Sequence, residues 1–452
     1  MKYILSVLVL LVSSLGFSQN QEKISKSGVV LNRESVTADK TNDFDHTTFW
    51  NNARASDREL STPNPSYEAV ALYRFLQDQF GKRMLAGNQW VQWGVNELDY
   101  IENATGKLPA MAGFDYINEP QNQEENDRAI DFWNDGGIVT IMYHQGAPGI
   151  GEGYENSLET IDIDQIFIEG TPENVDFWGD LERIGNYLQE LEDANIPVLW
   201  RPYHELTGNW FWWSKGGSAR FKQLWITMYD YLVTERELNN LIWVLCYTDN
   251  PRNGDWFPGD EYVDIAGGDT YDNLTTSHIE MFTDVANAIG GNDYPIAFHE
   301  NGNPPDPLNC WLDQAMWSWW MVWHTSWLTD LDTEYLSYVY NHELVTTLDE
   351  LPDIVEVYGG DDYVPPLSIE DDLQHAISVY PSPVADQLNI SIDRDFYGVS
   401  QFKVFDLNGS LVLEHNSRSE DEQINLSNLR SGIYSLVVIN DFGTSVHKFL
   451  KN

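Results

Sequence analysis

Short apolar runs alternate with amphipathic stretches through most of the chain. The first amphipathic stretch, Ser66 to Phe80, carries apolar residues at spacings of three and four, which predicts a helix. Similar helical patterns cover Val175 to Ala194 and Ala219 to Thr234. The strand-like runs are Met84 to Gln89, Leu108 to Tyr116, Gly137 to His144, Pro197 to Glu205, Leu241 to Thr248, Val263 to Tyr271, Pro295 to Asn301 and Ser318 to His324.

Nearly continuous apolar strands that alternate with helices indicate a parallel sheet covered on both faces. Eight such units over roughly 300 residues match the size of a closed (β/α)8 TIM barrel, the predicted fold class. A doubly wound open sheet is the alternative. It is disfavoured because the segment Ala86-Gly-Asn-Gln-Trp90 lacks the glycine-rich phosphate loop that follows the first strand of such folds.

The pattern changes after Ile354. A segment rich in Gly, Pro and acidic residues is followed by short alternating strands at roughly 8–12-residue spacing, with Asn-Gly and Ser-Gly turns. This pattern is typical of a small all-β sandwich. We therefore predict a barrel over residues 46–357, a linker over 358–375 and a β-sandwich domain over 376–452.

The first 45 residues do not have the pattern of a folded domain. Residues 1–18 combine a basic start, an apolar run and a small-residue end, which is the layout of a secretory signal peptide. The apolar run is too short to span a membrane permanently. Residues 19–45 are polar without periodicity and are predicted to be a flexible leader. Export of the protein is therefore expected.

Composition narrows the range of partners. The 452 residues carry a formal net charge of −46, so nucleic acid and anionic membrane surfaces would be repelled, and a neutral substrate fits better. The 18 Trp and 23 Tyr residues suit a sugar-binding cleft, although aromatic residues also build cores. Cys246 and Cys310 are the only cysteines, which rules out a disulfide framework and leaves one bridge possible.

Most predicted strands end in polar or chemically useful residues. In a barrel the carboxyl ends of all strands meet at one face, so these side chains are expected to converge there. The strand-end residues are Asn88, Gln89, Asp115, Tyr116, His144, Gln145, His204, Glu205, Asp269, Tyr271, His299, Glu300, Trp323 and His324.

The segment from Val198 to Trp213 carries the clearest chemistry. An apolar strand leads into His204-Glu205, and four consecutive aromatic residues end the segment. Low polarity raises the pKa of a carboxyl, which suits Glu205 to act as an acid, and aromatic faces suit stacking on sugar rings. The alternative is a solvated loop carboxylate beside tryptophans that belong to the core.

Arg201-Pro-Tyr-His-Glu205 with Gly208-Asn-Trp-Phe-Trp-Trp213 resembles the acid/base segment of glycoside hydrolase family 26, whose best-known members are β-mannanases. Similar features extend from about Leu85 to Trp323. The resemblance implies that Glu205 is the general acid/base and Glu300 the nucleophile of a retaining glycosidase. Cleavage with retention does require two carboxyl groups about 5–5.5 Å apart.

The same resemblance implies further residues around the cleaved sugar. These are His144, His204, Trp210, Tyr271 and Trp323. Tyr271 would hydrogen bond the nucleophile, and Trp323 would stack below the sugar. Asp269 is either a site residue or a strand-end cap. His299 departs from the family, in which glycine commonly precedes the nucleophile. No cofactor is implied, and no metal site is predicted because neither H-E-x-x-H nor H-x-H occurs.

The tail from Ala376 resembles the C-terminal sorting domain of the Por (type IX) secretion route. Its matching motifs are Val379-Tyr-Pro-Ser-Pro-Val384, Phe405-Asp-Leu-Asn-Gly409, Leu429-Arg-Ser-Gly-Ile-Tyr434 and Lys448-Phe-Leu-Lys451. The resemblance implies the type IX machinery as a partner, passage through the periplasm and outer membrane, and a secreted or cell-surface location. A carbohydrate-binding module is the alternative, and the lack of Trp in the tail speaks against it.

The resulting hypothesis is a secreted, monomeric, retaining endo-β-1,4-mannanase that acts on mannan-type plant or algal polysaccharides. Within the same family, an exo-acting mannobiohydrolase, a mixed-linkage β-glucanase and a β-1,3-xylanase remain open. A non-catalytic polysaccharide-binding protein is the alternative from another class, and the presence of both Glu205 and Glu300 speaks against it.

Overall fold

The structure is a computed structural model that describes residues 44–54, 56, 58–248, 252–272, 274–290, 294–360, 376–393, 396, 399–406, 410–440 and 443–452. The predicted signal peptide and most of the predicted leader lie outside these residues. Among the described helices, none is both long and apolar enough to cross a membrane.

A closed barrel of parallel strands forms the first part of the fold, which confirms the predicted class. Outside the barrel, β1 (Met84–Leu85) pairs with a later strand, β10 (Val345–Thr346). The barrel strands are β2 (Gly87–Gln89), β3 (Met111–Asp115), β4 (Ile138–Tyr143), β5 (Val198–Pro202), β6 (Leu241–Tyr247), β7 (Ile265–Thr270), β8 (Ile296–Asn301) and β9 (Trp320–Val322).

The first predicted strand is split in two by these pairings. Met84 and Leu85 pair with β10, whereas Gly87 to Gln89 pair with β3 and β9 and close the barrel. The periodicity of the run gives no sign of the split, because both halves are fully buried.

Helices cover the outside of the barrel and lie between the strands. The described helices are α1 (His46–Arg54), α2 (Tyr67–Gln79), α3 (Glu97–Thr105), α4 (Gln121–Asn134), α5 (Tyr154–Ser157), α6 (Pro172–Asp193), α7 (Trp212–Lys215), α8 (Gly217–Tyr229), α9 (Ile279–Ala288), α10 (Pro307–Leu312), α11 (Ser326–Thr329), α12 (Thr333–Tyr340) and α13 (Ile354–Tyr358). The predicted helix from Ser66 is α2, and the Ser66 side chain caps it by accepting from the Ala69 N–H. The helix predicted from Ala219 is α8, which continues as a π-helical turn, Asp230–Glu235.

The barrel strands are mostly apolar before their carboxyl ends because both of their faces are buried. Leu199, Val244 and Ala297 belong to a cluster shared with α2 and α13, whereas Trp200 and Phe298, one residue further along, belong to the main cluster. Successive strand residues point to opposite faces, so the two clusters lie on opposite faces of the closed sheet. This packing explains the nearly continuous apolar runs in the sequence.

The C-terminal region is an antiparallel all-β structure of two sheets. One has the order β11-β12-β15 and the other β14-β13-β16-β17. The strands are β11 (Ile377–Tyr380), β12 (Gln387–Ile392), β13 (Ser400–Phe405), β14 (Leu411–Ser417), β15 (Asp421–Asn425), β16 (Gly432–Asn440) and β17 (Gly443–Lys451). Alternate residues of both sheets, such as Leu388 and Phe402, share one core. The predicted sandwich class is confirmed.

The end of the barrel lies close to the predicted linker boundary. Tyr358, the first residue of the predicted linker, is 6% exposed, with its ring 5.4 Å from that of Phe75 on α2. Its hydroxyl donates to Asp78 at 2.8 Å, and Ile354 on the same helix is also buried. The domain boundaries themselves stay predictions.

A chain truncated after Asp353 is therefore expected to be less stable than one truncated after Gly360. It loses the burial of Ile354 and Tyr358, each of which contributes about 1.5–3 kcal/mol to the free energy of unfolding. Urea unfolding of the two chains, monitored by tryptophan fluorescence, measures the difference. Equal unfolding midpoints would contradict the assignment of α13 to the barrel.

Candidate active site

Three carboxyl groups meet at the carboxyl ends of the barrel strands. Glu205 follows β5, Asp269 lies on β7 and Glu300 on β8. One oxygen from each carboxyl lies within 4.8 Å of the others. Their residues are 8%, 1% and 3% exposed, respectively. Three acids this close together cannot all be ionised at low cost, so the cluster must hold protons.

Glu300 is held by two donors. The hydroxyl of Tyr271 donates to Oε1 at 2.5 Å, and the guanidinium of Arg201 donates to Oε2 at 2.7 Å. Burial alone would lower the pKa of Arg201, but attraction to Glu300, Cys246 and Asp269 together outweighs burial, so the net shift of this pKa is upward. Burial, followed by repulsion from Glu300, holds the pKa of Tyr271 well above its usual value, so Tyr271 stays a donor. The two donors hold separate oxygens of Glu300 and so fix the orientation of its carboxyl group.

Glu205 is held by one donor and repelled by the two neighbouring carboxyl groups. Burial, followed by repulsion from Asp269 and Glu300, raises its pKa well above the usual value. The indole N–H of Trp210 donates to Oε2 at 2.5 Å. Glu205 has a positive φ of 52°, a strained conformation that positions its carboxyl at the mouth of the barrel. Gly208 gives the indole room, because a Cβ there would lie 2.3 Å from the Trp210 ring.

Asp269 lies inside the carboxyl cluster. The sequence left open whether it is a site residue or a strand-end cap. Its pKa is raised to about 8, chiefly by burial and then by the charge of Glu300. The thiol of Cys246 lies 3.6 Å from its Oδ2. The structure therefore places Asp269 within the carboxyl cluster, close enough to Glu205 for the two groups to share a proton.

A chain of hydrogen bonds orients the two site histidines. Asp115 accepts from Nδ1 of His144 at 2.6 Å, and Nε2 of His144 lies 3.0 Å from Nε2 of His204. A carboxylate can only accept, so Nδ1 of His144 carries a proton, and one of the two Nε2 atoms donates to the other. Burial, followed by repulsion from His144 and Arg201, holds the pKa of His204 well below its usual value, so this ring is neutral. Asp115 has a supporting role here.

The four consecutive aromatic residues have different roles. Trp210 is half-buried and contacts Glu205. Trp212 and Trp213 are fully buried, and their indole N–H groups donate to the backbone oxygens of Gln145 and His204. These two residues are therefore core groups that fix the loop. Trp323 is half-buried, with its ring 6.2 Å from that of His144.

His299 points below the carboxyl cluster. Its Nδ1 lies 3.0 Å from the sulfur of Cys246, and a Cβ on Gly267 would lie 2.7 Å from its ring. Gly267 thus makes room for the imidazole, which is buried inside the barrel. Cys246 and Cys310 are both free, buried thiols, so the bridge that the sequence left possible is not formed.

Two groups of side chains have metal-ligand spacing. One is the carboxyl cluster, and the other is Cys246, Asp269 and His299, whose ligand atoms also lie within 4.8 Å of one another. Arg201 lies 3.9 Å from the Cys246 sulfur and pairs with Glu300, so a cation is already built into this environment. Protons and Arg201 fit this site better than a metal ion, because a second cation would be repelled by the guanidinium.

Sequence reasoning missed Arg201 as a site residue although it lies within the recognised motif. An arginine inside an otherwise apolar strand signals a buried partner charge, because an unpaired one would be very costly. That signal identifies neither the partner nor its distance.

Two family models match this chain, one over the barrel and one over the C-terminal β-structure. Residues 61–350 match the model of Glycosyl hydrolase family 26. Residues 378–452 match the model of the Secretion system C-terminal sorting domain, which indicates export. A mannan endo-1,4-beta-mannosidase of Thermothelomyces thermophilus is 33% identical over an alignment of 319 residues that covers 65% of this chain and 64% of that protein.

Solved structures show the same similarity. A β-mannanase from a symbiotic protist of the termite Reticulitermes speratus, complexed with a gluco-manno-oligosaccharide, has a TM-score of 0.60 and 32% identity over 65% of this chain and 98% of its own. The Podospora anserina GH26-CBM35 β-(1,4)-mannanase has a TM-score of 0.60 and 30% identity over 66% and 69%. The chain spans 50–64% of the length of three curated mannan endo-1,4-beta-mannosidases that it matches.

Proposed function

The chain belongs to glycosyl hydrolase family 26, and on that premise we propose that it is a secreted endo-β-1,4-mannanase that retains the anomeric configuration. The observation that carries the proposal is the cluster of Glu205, Asp269 and Glu300, with oxygens within 4.8 Å of one another. This close approach supports the retaining arrangement, with carboxyl groups about 5–5.5 Å apart, over the inverting one, in which they lie about 6.5–9.5 Å apart.

In the first step, Glu300 attacks the anomeric carbon and the bond to the glycosidic oxygen breaks. Glu205 donates its proton to that oxygen, which leaves as a hydroxyl group. Tyr271 and Arg201 hold the attacking carboxylate through separate oxygens and keep its orientation fixed. The product of this step is a covalent glycosyl ester on Glu300.

In the second step, Glu205 accepts a proton from water, and the water oxygen attacks the anomeric carbon from the side that the leaving group vacated. Glu300 departs as a carboxylate, again beside Arg201. Asp269 has the role of a positioning group in both steps, because its charge and its proton influence the pKa of Glu205. Two inversions at the same carbon give overall retention.

A neutral polysaccharide suits the surroundings of the cluster. The strong negative net charge disfavours anionic polymers, and His204 is neutral in its buried position. The relatives' names favour mannan over mixed-linkage glucan and xylan. Incubation with linear mannan, galactomannan, mixed-linkage glucan and β-1,3-xylan, with product analysis, tests this choice. Mixed oligosaccharides from mannan are expected; mannobiose alone would indicate exo action, and cleavage of glucan or xylan alone would contradict the proposed substrate.

The sorting domain supports a further proposal about location. We propose that the chain passes the outer membrane by the type IX route and acts as a monomer in the medium or at the cell surface. Expression with and without residues 376–452 in a host with that route tests this. Accumulation of the shortened chain in the periplasm is expected, and its normal release would contradict the proposal.

Activity is expected to fall on the alkaline side with an apparent pKa near about 8. The acid form of the cluster is required to protonate the leaving group, and Asp269 loses its proton at about this pH. The apparent value belongs to the coupled carboxyls rather than to one residue. The pH dependence of kcat/KM on a soluble mannan oligosaccharide measures it, and a profile that stays flat to about pH 10 would contradict the shared-proton account.

A further inference from the structure

Trp93 is an exposed aromatic residue at the catalytic face of the barrel. Its side chain is 53% exposed, whereas Trp200 and Trp243 on the barrel strands are fully buried. It follows strand β2, which pairs with β9, and β9 leads directly to Trp323 and His324. The two loops are therefore neighbours at the face that carries the carboxyl cluster.

Ring contacts link Trp93 to the catalytic centre. The ring of Trp323 lies 6.2 Å from His144 and 4.5 Å from His324. The ring of His324 lies 5.0 Å from that of Trp93, in an edge-to-face arrangement of 72°. Exposure rises outward along this series, from buried His144 through half-buried Trp323 and His324 to Trp93. The series is a continuous aromatic surface that leaves the cleft in one direction.

A buried carboxylate holds the two loops in place. Glu97, the first residue of α3, is fully buried and accepts the backbone N–H of Gln92 at 3.1 Å and that of Thr325 at 3.4 Å. Both donors have positive φ values, 58° and 51°, which cost conformational energy in residues other than glycine. Such strain persists where the surrounding structure imposes it, and it is concentrated at functional sites. Here the hydrogen bonds to Glu97 impose the strained conformations and thereby fix the position of Trp93, which follows Gln92.

The surface is also uncharged. Burial lowers the pKa of His324 to about 4, and the nearby Asp115 and Glu300 only partly offset this shift. His324 is therefore neutral over the range in which the carboxyl cluster works. A neutral imidazole beside an exposed indole face presents an apolar ring and polar edges, which is the chemistry that a neutral sugar ring requires.

We propose that Trp93 and His324 form an additional subsite, which binds a sugar unit of the same polysaccharide chain beyond the unit over Trp323. The proposal rests on the proposed function and extends it, because it adds a binding site for a second sugar unit of the substrate. Glu97 is a positioning residue for this subsite. Substrates too short to reach Trp93 gain nothing from it.

Trp93→Ala is therefore expected to lower kcat/KM on mannohexaose about tenfold and to leave the value on an aryl β-mannoside within about twofold. Trp93→Phe should recover part of the loss. Glu97→Gln can accept only one of the two N–H groups, so it should reproduce the length-dependent loss in weaker form. Trp178→Ala is the matched control, because Trp178 is 37% exposed on α6 and packs against Tyr231, away from the carboxyl cluster.

The outcomes separate this inference from the proposed function. An equal loss on short and long substrates, an unchanged value on mannohexaose, or the same effect from Trp178→Ala would overturn the subsite. A wild-type chain that cleaves no mannan oligosaccharide of any length would contradict the proposed function, and the subsite with it.

Discussion

Replacing Glu300 with glutamine is expected to lower kcat on mannan by about 10⁴-fold or more while polysaccharide binding survives. The amide cannot form the covalent intermediate, whereas the aromatic contacts to the sugar are unchanged. Glutamine is preferred to alanine because Arg201 is fully buried and pairs with Glu300 at 2.7 Å. Alanine would leave that charge without its partner, at a cost of about 3–5 kcal/mol in the free energy of unfolding.

The matched control for this variant is Glu155→Gln, because Glu155 is an exposed carboxylate on α5. It should retain wild-type kcat and KM. Steady-state kinetics on mannan, with a binding measurement on the same polymer and a thermal unfolding curve, separates chemistry from folding. Activity of Glu300→Gln within about tenfold of the wild type would contradict the nucleophile assignment.

Replacing Glu205 with alanine is expected to have an effect that depends on the leaving group. Mannan has a poor leaving group that needs a proton from Glu205, so kcat should fall by about 10³-fold or more on this substrate. An activated aryl β-mannoside needs no proton to depart, so its first step should be nearly normal. Its second step should be slow, because the base that activates water is missing.

Azide tests the second step of this variant. It is already a nucleophile, so it should restore turnover of the aryl mannoside by attacking the ester on Glu300. Two inversions give a β-configured mannosyl azide. An α-configured azide, or an equal loss on both substrates, would show that Glu205 is not the acid/base of a retaining enzyme.

The fold could be predicted from the sequence because its signals are local and repeated. Parallel strands buried on both faces give apolar runs, and their regular alternation with helices indicates a barrel. The split between β1 and β2 and the packing of Tyr358 on α2 depend on partners far away in the chain. No periodicity within the segments themselves encodes those partners.

The site could be predicted in part for the same reason. Strand ends must converge in a barrel, so the sequence was enough to predict that Glu205 and Glu300 lie near each other. The aromatic excess was a weaker guide, since Trp200, Trp225 and Trp243 are fully buried core residues. The role of Asp269 and the presence of Arg201 in the site could not be predicted from the sequence, because both depend on distances of a few ångströms between different strands.

The most direct test of the account is the identification of the residue that carries the covalent intermediate. The wild-type chain would be treated with 2-deoxy-2-fluoro-β-mannosyl fluoride, which forms the glycosyl ester readily and releases it slowly, and the peptides would be analysed by tandem mass spectrometry. The account predicts a single label on Glu300. A label on Asp269, or an active chain that acquires no label, would contradict it.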